Sequence, residues 1–439
     1  MVWGKACRYG GIQTKLKRFQ RQALKIMGPI RHSCPTRGME IMNYIRPLEL
    51  EIRKISAETF LRTQSTNKIA ERDISTKKIT QKGHRQWCKD YLQIIGYPHI
   101  EEPMDVCIRK WIWTKKYNID LSNTSKEGED FGRPKKGPKF QIYTDGSKIR
   151  NKADNKFGRV EATGCGVHII KPNHLEDVSQ SIKLADDCTI KQAEVYGIRN
   201  GAKWILHNQA EIKDEIVVIN SDSLASILAL KRPVTTSPLT FKTHQLLNAA
   251  ADKCKTLYIR WVKAHCGIAG NEMADKLAVE AAKSPGPPAE DSPALAPAVA
   301  KYKIKMATDV YWGYLFRSLD ECRQSKLFWP KVDKKRSIQL LKQNRRTWGI
   351  LIQFLTGHNF LNRHNYIVRP EEANPICNKC DFGQIQDSEH IIAKCPYFLG
   401  LRAQIFQNYI LDAPYDDLAI GDILSFLAQS GLEAVAIRG

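Results

Sequence analysis

No run of eighteen apolar residues occurs in this 439-residue chain, and its most apolar stretch, Leu411 to Ile437, is broken by several acids. A membrane-spanning helix is therefore not expected. The opening MVWGKACRYG lacks the basic, apolar and small-residue order of a secretory signal. No internal repeat is visible. Acidic residues are the scarce charge: 46 Asp and Glu stand against 68 Lys and Arg, for a formal net of +22. Such a surplus favours a polyanionic partner, usually nucleic acid. The twelve cysteines form one cluster and a scatter of singles. Without a leader they read as reduced thiols of an intracellular protein, nuclear or cytoplasmic rather than secreted.

The charge is unevenly spread. Residues 1–138 carry a net of +14, residues 139–284 a net of +5 and residues 285–439 a net of +3. The first value points to phosphate contact, while the other two suit an ordinary solvated surface. Two boundaries show in the composition. Lys126–Lys139 (KEGEDFGRPKKGPK) is polar and broken by Gly and Pro, as linkers are. Ser284–Pro297 holds five prolines, so residues 285–300 are expected to form an extended spacer without a core.

The first third reads as helical. Ile12, Leu16, Phe19, Ala23 and Met27 recur at helical spacing, and Pro47 suits a helix start. Between 139 and 284 the pattern changes. FQIYTDGS, GCGVHII, EIVVINSDS and TLYIRWVKAH are strand-like, whereas TIKQAEVYGIRNGAKWILHN and NEMADKLAVEAAK are helix-like. That alternation predicts an α/β domain with one mixed sheet. Residues 301–439 read as mostly helical, with a Cys/His segment at 377–395.

Four acids stand out in the middle domain. Asp145 lies in YTDGS, at the end of a β-rich run and before a glycine turn; Asp222 follows the apolar strand VVINS. Strand ends in α/β sheets are common ligand positions. Glu194 lies on a helix opened by Thr189-Ile-Lys-Gln192, which has the form of a capping box. Ile190, Val195, Ile198, Ala202 and Ile205 supply the apolar face of that helix, so Glu194 should flank its packed side. Asp275 falls near the start of another helix, in GNEMADKLA. Singly, each acid suits a solvated surface or a cap. Together they form a constellation.

YTDGSK, QAEVYGI, NSDSLASI and WVKAHCGIAGNEMADKLA, in that order, closely resemble type 1 ribonuclease H over residues 139–283. The resemblance implies a mixed five-stranded sheet flanked by helices. It also implies a DEDD cluster of Asp145, Glu194, Asp222 and Asp275 holding two magnesium ions, with manganese as the alternative. His265 matches the family's mobile histidine, which assists product release or proton transfer. The substrate implied is the RNA strand of an RNA–DNA hybrid, read by shape and by 2′-hydroxyls. Gly146 and Ser147 are the candidates for nucleic-acid contact. Lys263-Ala264 and Cys266 depart from the usual residues around the histidine, which puts rate in question more than identity.

Cys377 and Cys380, then His390 and Cys395, give C-x2-C-x9-H-x4-C. Three thiols and an imidazole suit a closed tetrahedral zinc site that folds and binds rather than catalyses. The spacing resembles a retroviral nucleocapsid knuckle with a longer central loop. Upstream, Lys334, Lys335, Arg336, Lys342, Arg345 and Arg346 interleave with Trp329 and Trp348. That composition suits single-strand binding or a solvated helix with packed tryptophans.

The segment VWGKACRYGGIQTKLKRFQRQALKIMGPIRHSCPTRGMEIMNYIRPLEL, within residues 1–138, resembles the region after the reverse-transcriptase palm of non-LTR retrotransposon polyproteins. FLTGHNFLNRHNYI, CNKC and DSEHIIAKCPYF resemble their C-terminal end. No YxDD-type palm motif occurs, so DNA synthesis by this chain alone is not expected. The whole order implies the C-terminal part of such a polyprotein. Its expected activity is a two-magnesium hydrolase acting on hybrids, with one structural zinc and further nucleic-acid contacts through basic segments. The alternative is a decayed nucleic-acid-binding protein that grips through the basic N-terminal segment and the zinc knuckle.

Overall fold

The computed structural model describes residues 9–64, 79–100, 104–107, 110–122, 139–151, 160–172 and 176–432. Most of the expected linker at 126–139 lies outside these residues. The chain divides into two compact units. One comprises Met1–Ala57, Ile79–Pro98 and Ile304–Gly439; the other comprises Glu58–Lys78 and His99–Lys303. These bounds cut across the compositional boundaries, because composition does not register packing between segments distant in sequence. Among the described residues, no helix is long and apolar enough to cross a membrane.

The second unit is built on a six-stranded mixed sheet. The unit's main elements in chain order are β1 (Trp111–Ile112), β2 (Asn118–Asp120), β3 (Phe140–Asn151), β4 (Val160–Ile170), β5 (Val178–Leu184), α1 (Ile190–His207), β6 (Ile216–Ser221), α2 (Leu224–Lys231), β7 (Val234–Thr235), α3 (Pro238–Ala251), β8 (Thr256–Trp261) and α4 (Ala269–Lys283), with β1 and β7 forming a separate two-stranded pair. The sheet order is β2-β8-β6-β3-β4-β5. β2, β8, β6 and β3 run parallel, while β3, β4 and β5 are antiparallel neighbours. The family resemblance implied five strands. The sixth, β2, is only three residues long and lies in the segment assigned to the N-terminal region, where no alternating apolar run announces it. Asp120 secures it by accepting from Arg260 Nε at 2.7 Å.

The apolar residues of β3, β6 and β8 form the core with α1: Ile142, Val217, Ile219 and Ile259 are fully buried beside Ile198, Ala202 and Ile205. Thr189 and Gln192 make the capping box that starts α1, with bonds of 3.2 and 3.0 Å. Helix α4 lies directly over β4. A Cβ on Gly166 would run into the Ala274 carbonyl oxygen, so glycine alone permits this approach.

The proline-rich stretch does not behave as a free spacer. Asp291 accepts from Tyr196, from Arg199 Nη2 at 2.7 Å and from Lys203 Nζ at 2.6 Å, all on α1. Gln192 Nε2 donates to the Ala294 carbonyl at 2.8 Å. The stretch turns at Glu290 and Asp291, its last residues from Pro297 open the helix Pro297–Arg317, and it is fastened along α1 by side chains that its own composition does not reveal. Asp105 makes a similar stitch, accepting from Ser237 Oγ, the Leu239 N–H and Gln192 Nε2 at 2.8, 3.1 and 3.2 Å.

In the first unit, N-terminal helices share one core with the C-terminal region. Leu24, Met39 and Ile41 pack in a cluster that includes Trp329, Trp348, Phe354, Ile391 and Phe426. Trp348 donates its indole N–H to Asn43 Oδ1 at 2.8 Å. The helix Gly10–Ile26 buries Gln20 and Leu24, while Phe19 is 66% exposed, so its packed face is rotated from the apolar spacing. The cause is the Gln20 amide, which donates to the Arg46 carbonyl and accepts from the Leu48 N–H, both at 2.8 Å.

The basic and aromatic stretch around 329–348 resolves into a packed arrangement. Trp329 and Trp348 are buried, so neither face is open to a nucleic-acid base. Arg336 donates to the carbonyls of Asp416 and Leu418, which makes it a structural cation.

Candidate active site and metal centres

β3 brings Asp145 to the point where the parallel partner β6 stops pairing, at Thr144 opposite Ser221. The strand itself continues. Asp145 pairs with Gly166, and the β3–β4 ladder runs on to Asn151 opposite Val160. Asp145 is therefore inside a strand rather than at its end. Gly146 is the reason: a Cβ there would lie 2.7 Å from the Glu194 nitrogen. Its missing side chain is needed for close approach to α1 and not for a turn.

Asp222 follows the last residue of β6, as the sequence predicts. Glu194 sits near the start of α1, and Asp275 in α4. Carboxylate oxygens of Asp145, Glu194 and Asp222 all lie within 4.8 Å of one another. Asp275 stands beside this trio and adds its charge to Asp145. Asp145 and Glu194 are only 7% and 5% exposed.

Burial first, and then the Asp222 and Asp275 charges, push the Asp145 carboxyl up to about 7. Burial and then Asp145 and Asp222 raise Glu194 well above the usual carboxylate range. The Gly146 N–H opposes both shifts by donating to each carboxyl group. Glu194 Oε2 is left buried without a hydrogen-bond partner. Repelling oxygens with an orphaned acceptor are poor structural choices. They suit a hard divalent cation such as magnesium, which takes carboxylate oxygens and quenches the repulsion.

The structure adds a residue that the sequence reading quoted but did not single out. Asn271 is buried and donates Nδ2 to Asp222 Oδ2 at 3.1 Å, while its own Oδ1 has no partner. Trp261 Nε1 holds the Asp222 carbonyl at 2.9 Å. The signal was its place in GNEMADKLA, four residues before Asp275 and so on the same helical face. His265 is exposed on the β8–α4 loop with a left-handed backbone (φ 51°), and the structure does not pack it among the acids. Gly146 and Ser147 are half-buried in β3.

A second centre lies in the first unit. Cys377, Cys380, His390 and Cys395 place their ligand atoms within 4.8 Å of one another. Cys377 and Cys395 sulfurs are 4.0 Å apart, and Cys380 Sγ is 3.5 Å from His390 Nε2. A short antiparallel bridge, Ile376 with Ile385, shapes the loop between the first pair and the second. The Lys379 N–H and Gln386 Nε2 both point at Cys377 Sγ, at 3.4 and 3.7 Å. Three sulfurs and one nitrogen fit zinc, and no fifth side chain is needed. Cys377 and Cys395 belong to the main core of the unit. The segment is thus built into a larger body and is not a free-standing knuckle.

Residues 137–283 match the RNase H family model. This part of the chain is an RNase H domain. No curated protein matches the chain. Among solved structures, prototype foamy virus protease–reverse transcriptase is similar at 22% identity and TM-score 0.28, over 35% of this chain and 22% of that one. The N-terminal RNase H domain of a Mycobacterium tuberculosis protein, solved as a maltose-binding-protein fusion, is similar at 17% identity and TM-score 0.24. That likeness spans 32% of this chain and 98% of that chain. The four acids all lie within the RNase H domain, whereas the Cys/His centre lies outside it.

Proposed function

We propose that this protein is a divalent-metal-dependent endonuclease that hydrolyses the RNA strand of RNA–DNA hybrids. The observation that carries the reading is the clustered trio of buried Asp145 and Glu194 with half-buried Asp222, joined by Asp275 and with an orphaned Glu194 oxygen, inside an RNase H domain. In this reading the four carboxylates hold two magnesium ions, which supply an activated water and stabilise the leaving oxygen. Asp145 and Glu194 set the spacing of the cradle, because Gly146 fixes strand against helix. Asn271 orients the Asp222 carboxylate. His265, exposed on its loop, has the freedom to approach the scissile phosphate and move a proton there. Gly146 and Ser147 offer a backbone and a hydroxyl to the RNA strand.

The Cys377, Cys380, His390 and Cys395 centre is proposed to hold one structural zinc, and the basic N-terminal helices to add phosphate contacts. The order of segments supports derivation from a non-LTR retrotransposon polyprotein. The test uses purified protein, a labelled RNA–DNA hybrid and millimolar magnesium. RNA-strand cleavage that disappears in EDTA and in Asp145→Asn supports the reading. Salt-sensitive binding without cleavage would overturn it in favour of a nucleic-acid-binding protein.

A further inference from the structure

Arg402 is fully buried, at 0% exposure, on the helix Leu399–Phe406. Its Nε donates to the Tyr409 carbonyl at 2.7 Å, but its Nη1 has no hydrogen-bond partner. Among the described residues no carboxylate pairs with it. A buried guanidinium cannot shed its charge, so an unpaired one is strongly disfavoured unless an opposite charge stands nearby. The acidic group that acts on it is the Cys395 thiol, itself completely buried, and Arg402 acts in turn on His390. Chain geometry explains the proximity. Only the turn Pro396–Phe398 separates Cys395 from the helix, and helical side chains lean back toward the N-terminus.

Resting on the zinc reading of the Cys/His centre, we propose that Arg402 is the counter-ion of that centre. Zinc with three thiolates and a neutral imidazole carries a formal charge of −1. One buried guanidinium neutralises it. Arg402 has no carboxylate partner among the described residues, and the anionic centre supplies the opposite charge. Arg402 is then a positioning residue, which couples metal loading to docking of the helix Leu399–Phe406.

The experiment compares wild-type full-length protein with Arg402→Gln, which keeps a donor for the Tyr409 carbonyl, and Arg402→Lys, which keeps the charge. Zinc affinity is read by chelator competition, and thermal unfolding is recorded with zinc and with EDTA. The expected result is a loss of about 10–100-fold in zinc affinity for the Gln variant, with the Lys variant close to wild type. Stability should reverse sign between conditions. The Gln variant melts below wild type with zinc, and level with it or above it in EDTA, where the native cation is uncompensated. Wild-type affinity in the Gln variant overturns the proposal. Equal loss of zinc or of folding in both variants also overturns it, by assigning Arg402 to packing alone. Wild-type protein that binds no zinc instead removes the reading on which the proposal rests.

Discussion

The Cβ position of Gly146 lies 2.7 Å from the backbone nitrogen of Glu194, and this contact between β3 and α1 sets the candidate active site. Neighbouring acids on the two elements, Asp145 and Glu194, are thereby forced together under low exposure. An alanine at position 146 would separate them or displace α1. We expect Gly146→Ala to lower hybrid cleavage by at least about 100-fold, as displacement of a metal ligand does, in a chain that remains folded by circular dichroism.

Asp145→Asn should abolish cleavage and yet stabilise the metal-free protein. Asp145 is raised to about 7 in the folded state, above its ordinary value of 3.8. A carboxyl raised in this way contributes stability that is fully present below its unfolded value and is lost as pH rises through the folded value. The gap between wild type and Asp145→Asn should therefore open between pH 4 and 7. At pH 8 in EDTA the variant is expected to be more stable by roughly 1–3 kcal/mol. Millimolar magnesium should close or invert the gap. Thermal melts at several pH values, with and without magnesium, decide the matter; a gap that widens at low pH would contradict the site geometry.

Gly166→Ala tests the placement of Asp275. The added methyl group would meet the Ala274 carbonyl oxygen and lift α4 from β4. A destabilisation of about 1–3 kcal/mol, the usual cost of overpacking, should accompany loss of cleavage. Unchanged melting would show that α4 does not lie where the structure places it.

Asp105 lies outside the stretch matched by the family model, yet it ties α1 to the start of α3 through Gln192, Ser237 and the Leu239 N–H. Asp105→Ala leaves these donors without their acceptor. Urea denaturation should show a loss of about 1–3 kcal/mol. A protein trimmed to residues 139–284 should be weaker still, since it also loses the Asp291 contacts to α1 and strand β2.

Removal of zinc should melt the first unit more than the second. Cys377 and Cys395 are part of the core that contains Trp348, Phe354 and Phe426. Cys377→Ser, or EDTA, is expected to bring an early unfolding step seen by tryptophan fluorescence, since Trp329 and Trp348 are buried there. Coincident unfolding of wild type with and without chelator would refute this.

Much of the site was legible because its chemistry is local in sequence. Each acid sits in a short run with its own glycine, capping residue or apolar strand, and the Cys/His centre shows its spacing directly. The backbone around the acids was less legible. YTDGS reads as a strand ending in a turn, but Gly146 serves close packing and the strand continues. The helix Gly10–Ile26 likewise reads by its apolar stripe, but the buried face follows Gln20, whose amide finds partners at Arg46 and Leu48.

By itself the sequence determined the mixed α/β character of residues 139–284, the four acids, the four zinc-type ligands and the basic surplus, since these depend on residue type and spacing. Tertiary structure alone decided that Asp145, Glu194 and Asp222 bring carboxylate oxygens within 4.8 Å of one another, that Asn271 donates to Asp222, and that the proline-rich stretch is fastened along α1. It also decided that Arg402 is an unpaired buried cation beside Cys395. These properties arise from contacts between segments far apart in the chain, where the energy of a charge depends on what surrounds it and not on its neighbours in sequence.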